Sequence, residues 1–290
     1  MQKVIVALLL GAANLSNAQD WSAVDAAMGR ASVAQPSDVH RFNFPRTDLE
    51  VWTRGVRVKP ALALGGWIAM KPHAGGVVAM GDLVLADDEV VPVMTRLQQG
   101  GVEQTAVHHH LLHENPRVLY MHVHAHGDAV RIAETIRAAL ALTHTPAPAP
   151  AAPSTSAAPP IELDTAAVAA ALGRTGRVNG GVYQVSVARA DTIREGDFVV
   201  PPNMGLATAI NFQPTANGKA AITGDFVLVA SEVNPVLRAL RENGIEATSL
   251  HNHLLDEQPR LFFMHFWAND DPVKLARGLR AALDRTRSAP

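Results

Sequence analysis

Val107–Ala129 reads VHHHLLHENPRVLYMHVHAHGDA, and Leu250–Pro272 reads LHNHLLDEQPRLFFMHFWANDDP. The two stretches align without a gap at an offset of 143 residues. Both keep His-x-His, Leu-Leu, a Glu, Pro-Arg and Met-His. The spacing predicts a β-hairpin in each. His108–Leu112 and Val118–His126 form its arms, and His113–Arg117 joins them. In that register His110 faces Tyr120 and His108 faces His122. Side chains alternate between the faces of a strand, so His108, His110, His122, His124 and His126 share one face. Val107, Leu111, Leu119, Met121 and Val123 line the other, which is apolar. The second copy splits the same way. His251, His253 and His265 share a face with Phe263, Trp267 and Asn269, and Leu250, Leu254, Phe262, Met264 and Phe266 lie opposite. A slip of one residue would separate His122 from His108.

The duplication extends outward from the hairpins. Thr143–Pro160 is a Pro/Ala/Ser tract, THTPAPAPAAPSTSAAPP, suited to an extended linker. Each half opens with a short helix ending in Gly-Arg, at Gly29-Arg30 and Gly173-Arg174. Three strand-like runs follow: Val39–Phe44 and Val182–Val187, then Ala61–Met70 and Gly205–Phe212, then the runs starting at Gly81-Asp82 and Gly224-Asp225. Val90, Val93, Met94 and Leu97 recur at helical spacing, as do Val233, Val236, Leu237 and Leu240. A last amphipathic helix carries Ile132, Ala133, Ile136 and Leu140, matched by Leu275, Leu279 and Leu283. The expected fold is therefore α+β, with two homologous domains at residues 20–143 and 161–287 and a linker at 144–160. Each domain reads β-β-β-α-β-β-α, a mainly antiparallel sheet with helices on one face. A wide His and aromatic face needs cover, so the two repeats are expected to pair within the chain, His face to His face.

Composition narrows the function. The 290 residues include 48% hydrophobic and 18% charged residues, with a net charge near −2. That balance suits packed cores and gives no basic surface for nucleic acid. Lys3, the apolar Val4–Leu10 and the small residues before Gln19 read as a signal peptide over residues 1–18, cleaved near Ala18. A periplasmic or secreted protein is expected, with no membrane span in the mature chain. There is no cysteine, so any metal chemistry must use His and carboxylate.

His-x-His with a third in-phase His is a ligand trio for a divalent transition metal such as Zn, Cu, Ni or Fe. The candidate ligands are His108, His110 and His122, with His251, His253 and His265. Three protein ligands leave a position for water, and Glu114 or Glu257 would be the nearby general base of a hydrolase. Arg117 and Arg260 could hold a carboxylate or phosphate, or simply shape the turn. His109, His113, His124 and His126 have no His counterpart in the second copy and default to loop or surface positions. Gly81-Asp82 and Gly224-Asp225 read as a bulge or turn. Arg46 with Asp48, and Arg189 with Asp191, read as structural ion pairs.

The Arg-Thr-Asp at residues 46–48, Gly-Asp-Leu-Val-Leu at 81–85, the helix start Glu89-Val90-x-Pro92-Val93 and the Leu-His-Asn-His-Leu-Leu at 250–255 occur together with Pro-Arg and Met-His. This set resembles the LppY/LpqO-like family, named for mycobacterial lipoproteins, over nearly the whole mature chain in two copies. His109 departs from the pattern by standing where the second copy has Asn252. The lipoprotein cysteine is also missing, so tethering does not carry over. The resemblance implies the repeat fold and export and supplies no reaction. Three functions fit: an exported metal-binding protein, a metal-dependent hydrolase acting on a cell-envelope or periplasmic substrate, and a non-catalytic interaction module.

Overall fold

The structure is a computed structural model that describes residues 19–148 and 160–289. The signal segment expected at 1–18 and most of the linker lie outside the described residues.

The first repeat contains helix α1 (Trp21–Met28), strands β1 (Val33–Gln35), β2 (Val39–Pro45), β3 (Gly65–His73) and β4 (Gly76–Ala86), helix α2 (Val90–Gln99), strands β5 (Glu103–His108) and β6 (Val118–Gly127), and helix α3 (Ala129–Leu140). The second repeats this with α4 (Thr165–Leu172), β7 (Arg177–Asn179), β8 (Val182–Ala188), β9 (Ala207–Pro214), β10 (Ala220–Val229), α5 (Ala230–Glu242), β11 (Glu246–His251), β12 (Leu261–Asp270) and α6 (Pro272–Leu283). Each repeat forms one six-stranded sheet, in the orders β1-β2-β3-β4-β6-β5 and β7-β8-β9-β10-β12-β11. All neighbours are antiparallel. The mixed, duplicated α+β architecture is as expected, with one short edge strand added to each sheet.

Local chemistry sets the boundaries. Gly29 and Gly173 close α1 and α4 in the left-handed conformation, at φ 71° and 70°, which glycine adopts without steric cost. Asp128 and Asp271 cap the last helices by accepting from the backbone N–H of Arg131 and Lys274. Pro60–Ala63 forms a helical turn rather than strand, so the second expected run starts only at Gly65. Proline at the first helical position is preorganised for that turn and donates no ladder hydrogen bond.

Each sheet is covered on both faces. Val93, Leu97, Ile132 and Ile136 pack against Phe42, Ile68 and Met121 beneath the helices of the first repeat. Val236, Leu240, Leu275 and Leu279 do the same against Ile210, Phe226 and Met264 in the second. The other face of each sheet meets the other repeat. Val78 and Met80 share an apolar cluster with Val227, Leu261 and Phe263. Val84, Val118 and Tyr120 share another with Val182, Ala221 and Trp267. The layers run helices, sheet, sheet, helices. This double cover explains why β4 and β10 are buried almost residue by residue, where a half-exposed strand would alternate.

A matched buried ion network supports each sheet. Arg46 donates to the Val84 carbonyl at 2.8 Å, to Glu89 at 2.6 Å and to Asp48 at 2.8 Å. Arg189 donates to Val227, Glu232 and Asp191 at 2.8, 2.6 and 2.6 Å. Glu89 also accepts from the N–H of Ala86 and His144, and Glu232 from Val229 and Arg287. The Arg/Asp pairs are structural, and each extends to a helix-start glutamate.

Candidate metal centre

The hairpin register differs from the expected one by two residues. His108 pairs with Tyr120 and Ala106 with His122; His251 pairs with Phe263 and Ser249 with His265. The strand ends at His108 or His251, so His110 and His253 lie in the loop beyond it. The loop is longer than the expected five residues, and a bulge between Gln104 and Ala106, repeated between Ala247 and Ser249, moves the pairing one residue further on the side away from the loop. An even shift preserves the face, so the histidines remain together. Val107 and Leu250 were expected in the core and are exposed, because β5 and β11 are edge strands. Leu111 and Leu254 move off the helix-facing core and into the inter-repeat clusters.

The residue expelled by each bulge fastens the opposite repeat. Thr105 Oγ1 donates to the His253 carbonyl and Thr248 Oγ1 to the His110 carbonyl, both at 2.6 Å. Bulges re-aim side chains in this way. The second His of each His-x-His is thus held across the interface. Tyr120 stacks on His110 and Phe263 on His253, at centroid distances of 3.3 and 3.4 Å.

All six in-phase histidines converge at the middle of the interface, between the two apolar clusters. Across the pseudo-two-fold, the His108 and His251 rings stack with centroids 3.6 Å apart. Within each repeat, His108–His122 and His251–His265 are 4.9 and 4.8 Å apart. His122 Nδ1 donates to the Gly81 carbonyl at 3.2 Å and His265 Nδ1 to the Gly224 carbonyl at 2.7 Å. These bonds fix the tautomer and leave each Nε2 as a lone-pair donor. Both Nε2 atoms are buried without a hydrogen-bond partner, as are both ring nitrogens of His108, His110 Nε2 and His251 Nδ1. Buried polar atoms are rarely left unpaired in folded proteins.

Asp82 and Asp225 complete the centre, where a turn or bulge was expected. Both sit mid-strand, paired with His122 and His265. Asp82 Oδ2 stands 3.3 Å from His110 Nε2, and Asp225 Oδ2 3.1 Å from His253 Nε2. The preceding glycines permit this close strand packing, since a Cβ at Gly81 or Gly224 would collide with the backbone of Trp67 or Ala209. A sequence signal existed: Val78, Met80, Asp82 and Val84 obey the same two-residue period as the histidines. An aspartate inside an apolar run was the clue to a polar centre.

Burial drives the electrostatics. It pushes all six imidazoles below their ordinary range, His253 to about 3, with neighbouring imidazoles adding to the effect on His108, His110 and His122. Burial also raises Asp225 to about 6 and Asp82 well above the usual carboxylate range, the second further raised by Asp225. Neutral imidazoles with inward lone pairs are what a cation requires. Three sets bring ligand atoms within 4.8 Å of one another: His108, His122 and His251; His108, His110 and His265; and Asp225, His251 and His265. The first two sets mix the two repeats, and the third lies within the second.

The other candidates lie elsewhere. Glu257 is fully buried and accepts from the Leu261 N–H at 2.7 Å, with Arg260 3.3 Å away. Glu114 lies 3.3 Å from His109. Among the described residues neither carboxylate hydrogen-bonds one of the six histidines. Arg117 contacts His109 at 3.1 Å, and Arg260 donates to the Leu254 and Leu255 carbonyls. His124 pairs with Glu195 of the other repeat at 2.8 Å, His126 reaches the His73 carbonyl, and His113 is an exposed loop residue at φ 62°.

Fold and site define a tandem-duplicated α+β protein with one histidine-rich centre between its repeats. The chain belongs to the family described as Domain of Unknown Function (DUF1259), whose model matches residues 22–142 and 166–285. No curated protein matches it. A solved structure with some likeness is that of a trimeric bacterial microcompartment shell protein, PduB. It is 13% identical, with 89% of this chain and 95% of that chain covered, at a TM-score of 0.22. A likeness that low carries no argument. No helix among the described residues is long and apolar enough to cross a membrane.

Proposed function

We propose that the protein is an exported metal-binding protein, with His108, His110, His122, His251, His253 and His265 as its ligands. The LppY/LpqO-like resemblance and the signal-like residues 1–18 support export. The observation that carries the metal reading is the set of buried, unpartnered imidazole nitrogens aimed into one centre. Leaving them unpaired costs about 1–3 kcal/mol each, and a divalent Zn, Cu, Ni or Fe ion would engage them together. His122 and His265 are already oriented by backbone carbonyls, the arrangement usual for metal-bound histidine. The ion would be enclosed between the sheets, which favours binding over turnover of a large envelope substrate.

Metal analysis of protein purified without a His tag, beside His251→Ala/His253→Ala, tests this. Transition metal in the wild type and a reduced content in the variant are expected. Absence of metal from both, with no uptake on titration, would overturn the reading.

A further inference from the structure

The geometry points to two ion positions rather than one, related by the pseudo-two-fold and each built from both repeats; this rests on the metal-binding reading above. The first position is His108, His110 and His265, whose ligand atoms already lie within 4.8 Å of one another. Its image under the duplication is His251, His253 and His122. The rings of the two sets superpose in their spacings. His108–His110 and His251–His253 are 5.0 and 5.1 Å apart. His110–His265 and His253–His122 are both 3.8 Å, and His108–His265 and His251–His122 both 5.4 Å.

The two sets differ in which nitrogen faces inward. In the second, His251 Nε2 lies 3.1 Å from His253 Nε2. A half-turn about the Cβ–Cγ bond exchanges each ring nitrogen with a ring carbon while leaving the ring centre nearly in place. The partition uses each of the six histidines once. A single ion of ordinary four-coordination would leave at least two of them buried and unpaired.

The aspartates supply a fourth ligand to each set. Ligands about 2.0–2.1 Å from a tetrahedral ion lie about 3.3 Å apart. The Asp82 Oδ2–His110 Nε2 and Asp225 Oδ2–His253 Nε2 separations, 3.3 and 3.1 Å, match that spacing. The outer oxygens Asp82 Oδ1 and Asp225 Oδ1 have no hydrogen-bond partner. Two buried carboxylates, one per position, also lower the cost of placing two cations in the interface. Because every position takes two histidines from one repeat and one from the other, neither repeat alone completes a site.

Titration of the metal-free full chain with Co²⁺, followed by its visible absorption, tests the stoichiometry. Saturation at two equivalents is expected. His110→Ala and His253→Ala should each keep one equivalent, and the double variant none, with circular dichroism confirming that each remains folded. Saturation of the wild type at one equivalent would overturn the two-ion centre while leaving metal binding intact. No uptake by the wild type would overturn both. The wild-type titration decides the question even if a variant does not fold.

Discussion

Nine of the thirteen histidines belong to the first repeat, three to the second and one, His144, to the linker, yet each repeat delivers the same number to the centre. His109, His113, His124 and His126 go to a loop, a turn, an inter-repeat ion pair and a strand end. The poorer copy is therefore the better guide to the centre. Duplication acts as a filter: the histidines that reach the pseudo-two-fold are those retained at the same register in both copies, and those present in a single copy answer local needs. Asp82 and Asp225 pass the filter, as do Arg46 and Arg189.

The sharpest way to test this equivalence is pH. In the metal-free protein the six buried histidines have folded pKa values below the unfolded 6.5. Their stabilising contribution is complete above pH 6.5 and is lost as pH falls, because the unfolded chain takes up protons that the folded one does not. Each such group contributes up to about 1.4 kcal/mol per pH unit. Asp225, raised to about 6, and Asp82 act in the opposite sense between their unfolded pKa and their folded values, but they are two against six. The unfolding free energy from urea titration should fall by several kcal/mol between pH 7 and pH 5. A flat profile would show that the imidazoles are not held neutral.

Next in size are the buried arginines. Arg46→Ala and Arg189→Ala should each cost about 3–5 kcal/mol by stranding two carboxylates, and by similar amounts if the repeats are equivalent. A tenfold disparity between their unfolding constants would break the symmetry. Metal at a hundred times its dissociation constant should stabilise the wild type by about 2.7 kcal/mol for each ion bound, and His108→Ala/His251→Ala should lose that gain. A melting shift retained in this double variant would place the ion elsewhere.

Glu257→Ala should cost about 1–3 kcal/mol, since the Leu261 N–H is left buried and unpaired, without changing metal content. Loss of metal would instead bring Glu257 into the centre. The smallest effects belong to the unmatched histidines. His113→Ala and His126→Ala should stay within about 0.5 kcal/mol of the wild type in denaturant unfolding and keep full stoichiometry. A missing equivalent would mean that the first repeat has gained a ligand.

Much of this was legible because sheet periodicity is rigid. The two-residue alternation put His108, His110 and His122 on one face whichever even register the hairpin took, and the apolar residues of β6 and β12 marked the opposite face. Helical spacing located α2, α3, α5 and α6. The bulges at Thr105 and Thr248 were not legible, since they arise from hydroxyls drawn to carbonyls of the other repeat, a contact between residues roughly 150 positions apart. The mid-strand placement of Asp82 escaped for a related reason. Gly-Asp is a common turn signal, and only burial on both faces of β4 shows it within a strand.

The sequence by itself determined the duplication, the α+β unit and the six in-phase histidines, because those depend on local periodicity and on comparing one half with the other. The tertiary structure decided that there is one centre rather than two, that two of the three groups able to hold an ion cross between repeats, and that Asp82 and Asp225 belong to it. Those facts depend on how two sheets face each other, and that is set by the apolar clusters on either side of the histidines, whose members come from opposite ends of the chain.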